Sequence, residues 1–176
     1  RTGSTARVLL TAFNDILARA LEVKLHRLVG NDRGIFDRLT VAAIDDVGVR
    51  LHERFIGAAR LANAEVIRDL LRGASTASEP HRFGDRFLET EWHDVVDAWQ
   101  LSTWESYRDV ARLGRKTRLG EKQRALLWAI FERVRAELIA RDLITLPGVF
   151  AQVTRHLEAT GERPYDFAVV DEAQDI

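Results

Sequence analysis

The last ten residues constrain this chain most. Phe167, Ala168, Val169 and Val170 form an unbroken apolar run, and Asp171, Glu172, Ala173, Gln174 and Asp175 come directly after it. Such a run suits a strand buried on both faces of a parallel sheet. Residues just beyond it stand at the carboxyl edge, where open α/β sheets bind ligands. Two adjacent carboxylates there can serve a metal ion and an attacking water. Two acids alone would as readily make a solvated strand end, so the rest of the chain must decide.

Two further short apolar runs read as strands, Arg7–Thr11 and Leu39–Ile44. Between them the period changes to that of a helix. Leu17, Leu21, Leu25 and Leu28 share one face and read as core, Gly30 supplies a stop, and residues 31–34 read as a turn. After Asp45 and Asp46 a single long helix is expected to Leu71, with Leu51, Phe55, Ala58, Ala62, Val66 and Leu70 in phase and Gly73 ending it. Asp85–Trp99 is a third helix, with Phe87, Leu88, Trp92, Val95, Val96 and Trp99 inward. Ser102 and Glu105 have capping-box spacing for a fourth, to Leu113. Glu121–Arg141 shows the clearest stripe: Leu127, Ile130, Phe131, Val134 and Leu138. Thr145 and Pro147 open a last helix that Gly161 closes. Strands separated by helices imply parallel pairing, so the class is α/β, mostly helical, with about three strands. The helical middle is too long for one crossover and should pack by itself.

Composition narrows the function classes. The 176 residues carry 26 Lys and Arg against 27 Asp and Glu, so any nucleic-acid site must be local rather than a property of global charge. Residues 112–124 hold such a concentration: Arg112, Arg115, Lys116, Arg118, Lys122 and Arg124 against Glu121. They suit phosphate contacts, and equally a solvated helix junction. The absence of cysteine excludes disulfides and thiolate metal sites and fits a cytoplasmic protein. The five histidines lack paired ligand spacing, which argues against zinc. Trp92 and Trp99, seven apart, read as core rather than base-stacking platforms. Phe13, beside Asn14 at a strand end, is the better stacking candidate. With Arg1 first and no methionine, the chain is expected to be a piece of a longer protein.

Val169-Val170-Asp171-Glu172-Ala173-Gln174-Asp175 resembles motif II, the Walker B box, of superfamily 1 DNA helicases of the UvrD/Rep type. Val8-Leu9-Leu10-Thr11-Ala12-Phe13-Asn14 is similar to their motif Ia, and Val41–Asp46 stands where Ib would fall. There the chain departs from the family, since Ala43 and Asp46 replace hydroxyl residues. Tyr107–Arg124 looks like part of the helical insertion called subdomain 1B.

The resemblance implies a partial RecA-like sheet in residues 1–48, an all-α 1B-like insertion in 49–163, and a returning motif II strand in 164–176. It implies an ATP-dependent helicase or translocase moving 3′ to 5′ on single-stranded DNA, with ATP and magnesium as cofactors. Asp171 would hold the magnesium through water, Glu172 would activate the attacking water, and Gln174 would sense the γ-phosphate. Thr11, Phe13, Asn14, Arg112, Arg115, Lys116 and Arg118 would meet DNA, as a single strand or a junction. The phosphate-binding string Gly-x-x-x-x-Gly-Lys-Ser/Thr is absent, so the chain alone should be inactive. A non-enzymatic nucleic-acid-binding module built on residues 112–124, and a helical protein-interaction domain, are the alternatives.

Overall fold

The computed structural model describes residues 5–30, 33–111 and 118–171. Three short strands, β1 (Val8–Ala12), β2 (Leu39–Ala43) and β3 (Phe167–Val170), form one parallel sheet in the order β2-β1-β3. Val8 lies opposite Leu39 on one side and Phe167 on the other, so the strands start level. Asp166 helps set that register: its carboxylate accepts from Arg7 N at 2.7 Å, and its own N–H donates to Arg7 O at 2.9 Å. The expected α/β class with a minor parallel sheet is present.

The chain forms two compact units, residues 1–58 with 152–176 and residues 59–151. In the first, α1 (Asp15–Val29) and α3 (Ile44–Phe55) accompany the sheet, and α2 (Arg33–Phe36) is a single turn. Asn14 caps α1 by accepting from Leu17 N at 3.0 Å. The leucine stripe expected to fill the core is partly outside. Ala18 is buried and Leu21 and Leu25 half-buried, whereas Leu17 and Leu28 are exposed. The inward face runs through Ala18, Leu21, Leu25 and Val29, one position out of phase with Leu17 and Leu28.

A second correction concerns β3. All four of its residues are exposed, Phe167 by 63%, although the apolar run implied burial on both faces. It is an edge strand, and among the described residues only β1 pairs with it. The buried apolar residues of this unit are mostly small: one cluster joins Leu9, Ala42 and Val47, with Leu51 and Tyr165 against them, and Ala12, Ala18, Ala43 and Val153 are buried as well.

The expected long helix from residue 45 to 71 is two. α3 ends at Phe55 and α4 (Ala64–Thr76) begins after an extended stretch, with Asn63 accepting from Val66 N at 2.9 Å. Gly57, at φ 144°, cannot continue a helix. In the second unit, α4, α5 (Asp85–Glu91), α6 (Trp104–Asp109) and α7 (Glu121–Ala140) enclose one apolar core. The stripe on α7 is wholly buried there. Phe131 packs tilted on Trp92 at 6.0 Å between centroids and edge-on to Tyr107 at 5.8 Å. Glu91, fully buried, accepts from the Tyr107 hydroxyl at 3.0 Å.

Trp99 is not core. Trp92 is 2% exposed and Trp99 68%. Residues Trp92–Asp97 form a π-helical turn continuing α5, with Ala98 N donating to His93 O and Leu101 N to Val96 O. The extra residue in that turn rotates the downstream residues by about 100°, so the seven-residue spacing no longer keeps one face. The cap of α6 is also shifted: Thr103 and Ser106 form the capping box, one position after the expected Ser102 and Glu105, and α6 stops at Asp109 rather than Leu113.

Asp97 anchors the end of this turn. It is nearly buried and accepts from Thr145 Oγ1 at 2.6 Å and Gln100 Nε2 at 2.8 Å. Thr145 in turn accepts from Gly148 N at the start of α8 (Leu146–Thr160). Burial raises the Asp97 carboxyl above its ordinary value, and the bonds from Thr145 and Gln100 offset part of that. A raised folded value means tighter proton binding in the folded state. The stability from this group is therefore complete below the unfolded value and is lost as pH rises through the folded one. Asp97→Asn is expected to compare better with the wild type at pH 7 than at pH 3, in denaturant titrations at both.

Candidate functional site

The carboxyl edge of the sheet gathers the ends of all three strands. β1 delivers Phe13, half-exposed, and Asn14, whose side-chain oxygen is occupied in capping α1. β2 runs straight into α3, whose first turn carries Asp45 and Asp46. β3 delivers Asp171, whose N–H donates to Thr11 O at 2.8 Å. The backbone of Asp171 is thus fixed two residues from Phe13, on the adjacent strand.

Thr11 has a different role from a ligand contact in this arrangement. Its side chain is 1% exposed and its hydroxyl donates to Ala42 O at 2.9 Å. It staples β1 to β2 beneath the edge, and Phe13 and Asn14 carry whatever the edge presents to solvent.

The edge is acidic. Partial burial raises the Asp45 carboxyl, and the neighbouring charges of Asp46 and Asp15 raise it further. That mutual influence places Asp15, from the start of α1, in the same field as the α3 acids. In the sequence Asp45 is only one member of a motif-like string. Its coupling to Asp15 needs the level strand ends and has no signature in a one-dimensional pattern. Among the described residues no group of three or more His, Asp or Glu is arranged to hold a metal ion. Asp171 is an exposed single carboxylate, a hard oxygen donor suited to magnesium that also keeps waters and nucleotide phosphates. Glu172 and Gln174 lie outside the described residues, as do Arg112, Arg115 and Lys116.

Of the basic segment, Arg118 and Lys122 are described and exposed. Arg124 is committed elsewhere. Its Nη1 donates to the carbonyls of Tyr107 at 3.0 Å, Arg108 at 2.7 Å and Val110 at 3.3 Å. Those oxygens belong to the last turn of α6 and its C-cap, where helix carbonyls take partners from outside the helix. Arg124→Ala is expected to cost about 2 kcal/mol, since bonds from a charged donor are worth more than neutral ones. Arg124→Lys should recover only part, because a single ammonium cannot reproduce the guanidinium plane. Urea titration of the three proteins checks both.

No protein-family model matches this chain, and no curated protein matches it. No described helix is long and apolar enough to cross a membrane.

Proposed function

We propose that this chain is part of an ATP-dependent DNA translocase or helicase of the UvrD/Rep type, contributing the metal-facing strand and one DNA-facing strand of a RecA-like sheet. The observation that carries the reading is the adjacency of β1 and β3. The strand that leads into the string resembling motif II and the strand of the string resembling Ia are parallel neighbours, with Val170 opposite Thr11. In such a motor the nucleotide and the DNA must be sensed through one sheet edge, and Asp171 and Phe13 share that edge. The small core around the sheet and the exposed β3 also suit a sheet that continues into further structure. The 1B-like insertion would be residues 49–163, and the compact helical unit 59–151 lies within those bounds.

Asp171 would hold magnesium through water, and the ion would neutralise charge on the nucleotide phosphates. Glu172 would orient the attacking water and accept its proton. Gln174 would sense the γ-phosphate. Phe13 would stack on a base, and Asn14 would stand beside the backbone of the same strand. Arg118, with Arg112, Arg115 and Lys116, would meet phosphates.

Two measurements test this on the chain itself. With magnesium-ATP it is expected to show no turnover, because its sequence contains no glycine-lysine phosphate loop. With oligothymidylate at low salt, Phe13→Ala is expected to weaken binding by about 5- to 100-fold, the range for loss of one stacked base. Binding unaffected by Phe13→Ala, or none at low salt, removes the DNA-facing role of this edge.

A further inference from the structure

Helix α1 is apolar on two faces, and the sheet accounts for only one. Ala18, Leu21 and Leu25 turn toward β1 and β2. On the opposite face Ile16 is 80% exposed, Leu28 is as open, and Val23 is half-exposed. Among the described residues nothing covers this second face. Several exposed apolar side chains in one place mark an interaction surface, where scattered single ones do not.

The spacing says what shape fits. Ile16, Ala20, Val23 and Arg27 follow one another at intervals of four, three and four. That is the seam along which one helix packs on another. It runs for about 17 Å, or three turns. Leu17 and Lys24 flank the seam on one side, and Leu28 extends that flank. Arg19 and His26 flank the other side, where His26 stacks on Phe36 at 3.9 Å between centroids.

The charges say which occupant fits. Arg19, Lys24 and Arg27 are exposed on the seam and its flanks, and no acid stands among them. The acids of α1, Asp15 and Glu22, are seven apart and lie on the strip between Arg19 and the sheet. A second copy of α1 laid on this seam in either direction would set cation against cation, because flanking positions face each other across such a seam. An anionic lipid surface would suit the cations. At the start of the helix, however, it would meet Asp15 within the field of Asp45 and Asp46. A helix with carboxylates beside its own apolar seam meets every cation with an acid and has no such conflict.

We propose that the outer face of α1 docks an acidic amphipathic helix of a partner protein, with apolar residues on Ile16, Ala20 and Val23 and carboxylates against Arg19, Lys24 and Arg27. The proposal stands apart from the motor reading, since the seam uses neither Phe13 nor Asp171. Two labelled synthetic peptides are the probes, each about four heptads long so that it is helical. Both carry leucine on the seam; glutamate flanks it in one and lysine in the other. By fluorescence anisotropy at low salt, the chain is expected to bind the glutamate peptide at least about 10-fold more tightly than the lysine peptide, since flanking charges set partner choice. Val23→Ser, at a site open to solvent, should weaken that binding about 5- to 30-fold, as truncation of a central anchor does. Ile139→Ser, at an exposed site on α7, should leave it unchanged. Lys24→Glu combined with Arg27→Glu should reverse the preference between the peptides. Equal binding of both peptides, no binding at low salt, or no reversal overturns the proposal. So does binding to phosphatidylserine vesicles, or a dimer in sedimentation velocity, that Val23→Ser abolishes, because either assigns the face to a different occupant.

Discussion

Phe131→Ala is expected to lower the stability of the helical unit by about 3–5 kcal/mol, the usual cost of emptying a fully buried aromatic site. Phe131 is fully buried on α7 and touches the rings of both Trp92 and Tyr107. Its loss leaves a hole beside a π-helical turn and a buried Glu91–Tyr107 bond that depend on fixed neighbours. Trp92 adds to the sensitivity, because among the described residues its buried Nε1 has no hydrogen-bond partner. Phe131→Leu should cost less than half as much, since it refills most of the volume. Urea unfolding monitored by tryptophan emission measures both. A cost under about 1 kcal/mol for the alanine variant would mean that the site collapses freely.

The second large effect concerns Asp171 and requires the chain joined to a glycine-lysine phosphate loop. There, Asp171→Ala is expected to reduce magnesium-ATP turnover by about 100-fold or more, as removal of a preorganised electrostatic group does. Single-stranded DNA binding without nucleotide should stay within about twofold, because phosphate and stacking contacts to DNA use other residues. Glu172→Gln should leave nucleotide binding intact while removing turnover, which separates a water-activating role from a metal-holding one. Steady-state hydrolysis and nucleotide titration of the two variants give the comparison.

Strand and helix positions were legible wherever local pattern and tertiary packing agree. The apolar runs at Arg7–Thr11, Leu39–Ile44 and Phe167–Val170 are strands at Val8–Ala12, Leu39–Ala43 and Phe167–Val170, and the α7 stripe is core. The misses have local physical causes. One glycine, Gly57, with a large positive φ broke a helix whose apolar spacing ran on across the break. A π-helical turn rotated Trp99 to the surface while the heptad-like spacing of Trp92 and Trp99 stayed intact on paper. Leu28 fits a helical face by count, but that face turns away from the sheet. Arg124 looked like one more cation in a basic run, and only the fold shows it bonded to the end of α6.

At the candidate site, Asp171 and Phe13 were visible as strand-end residues before any fold was known. The staple made by Thr11 was not, because a hydroxyl's partner thirty-one positions away leaves no trace in periodicity. Nor was the field shared by Asp15, Asp45 and Asp46, which depends on strand ends lying level.

The central claim is that a nucleotide-bound metal sits against the tip of β3. Manganese can replace magnesium and relax nearby nuclear spins, so the chain joined to its phosphate loop and mixed with manganese-ATP reports the location directly. Loss of the Asp171, Thr11 and Phe13 amide signals is expected, with recovery of the Thr11 and Phe13 signals in Asp171→Ala. Signals at β3 that persist with saturating manganese-ATP, or broadening that Asp171→Ala does not relieve, would contradict it.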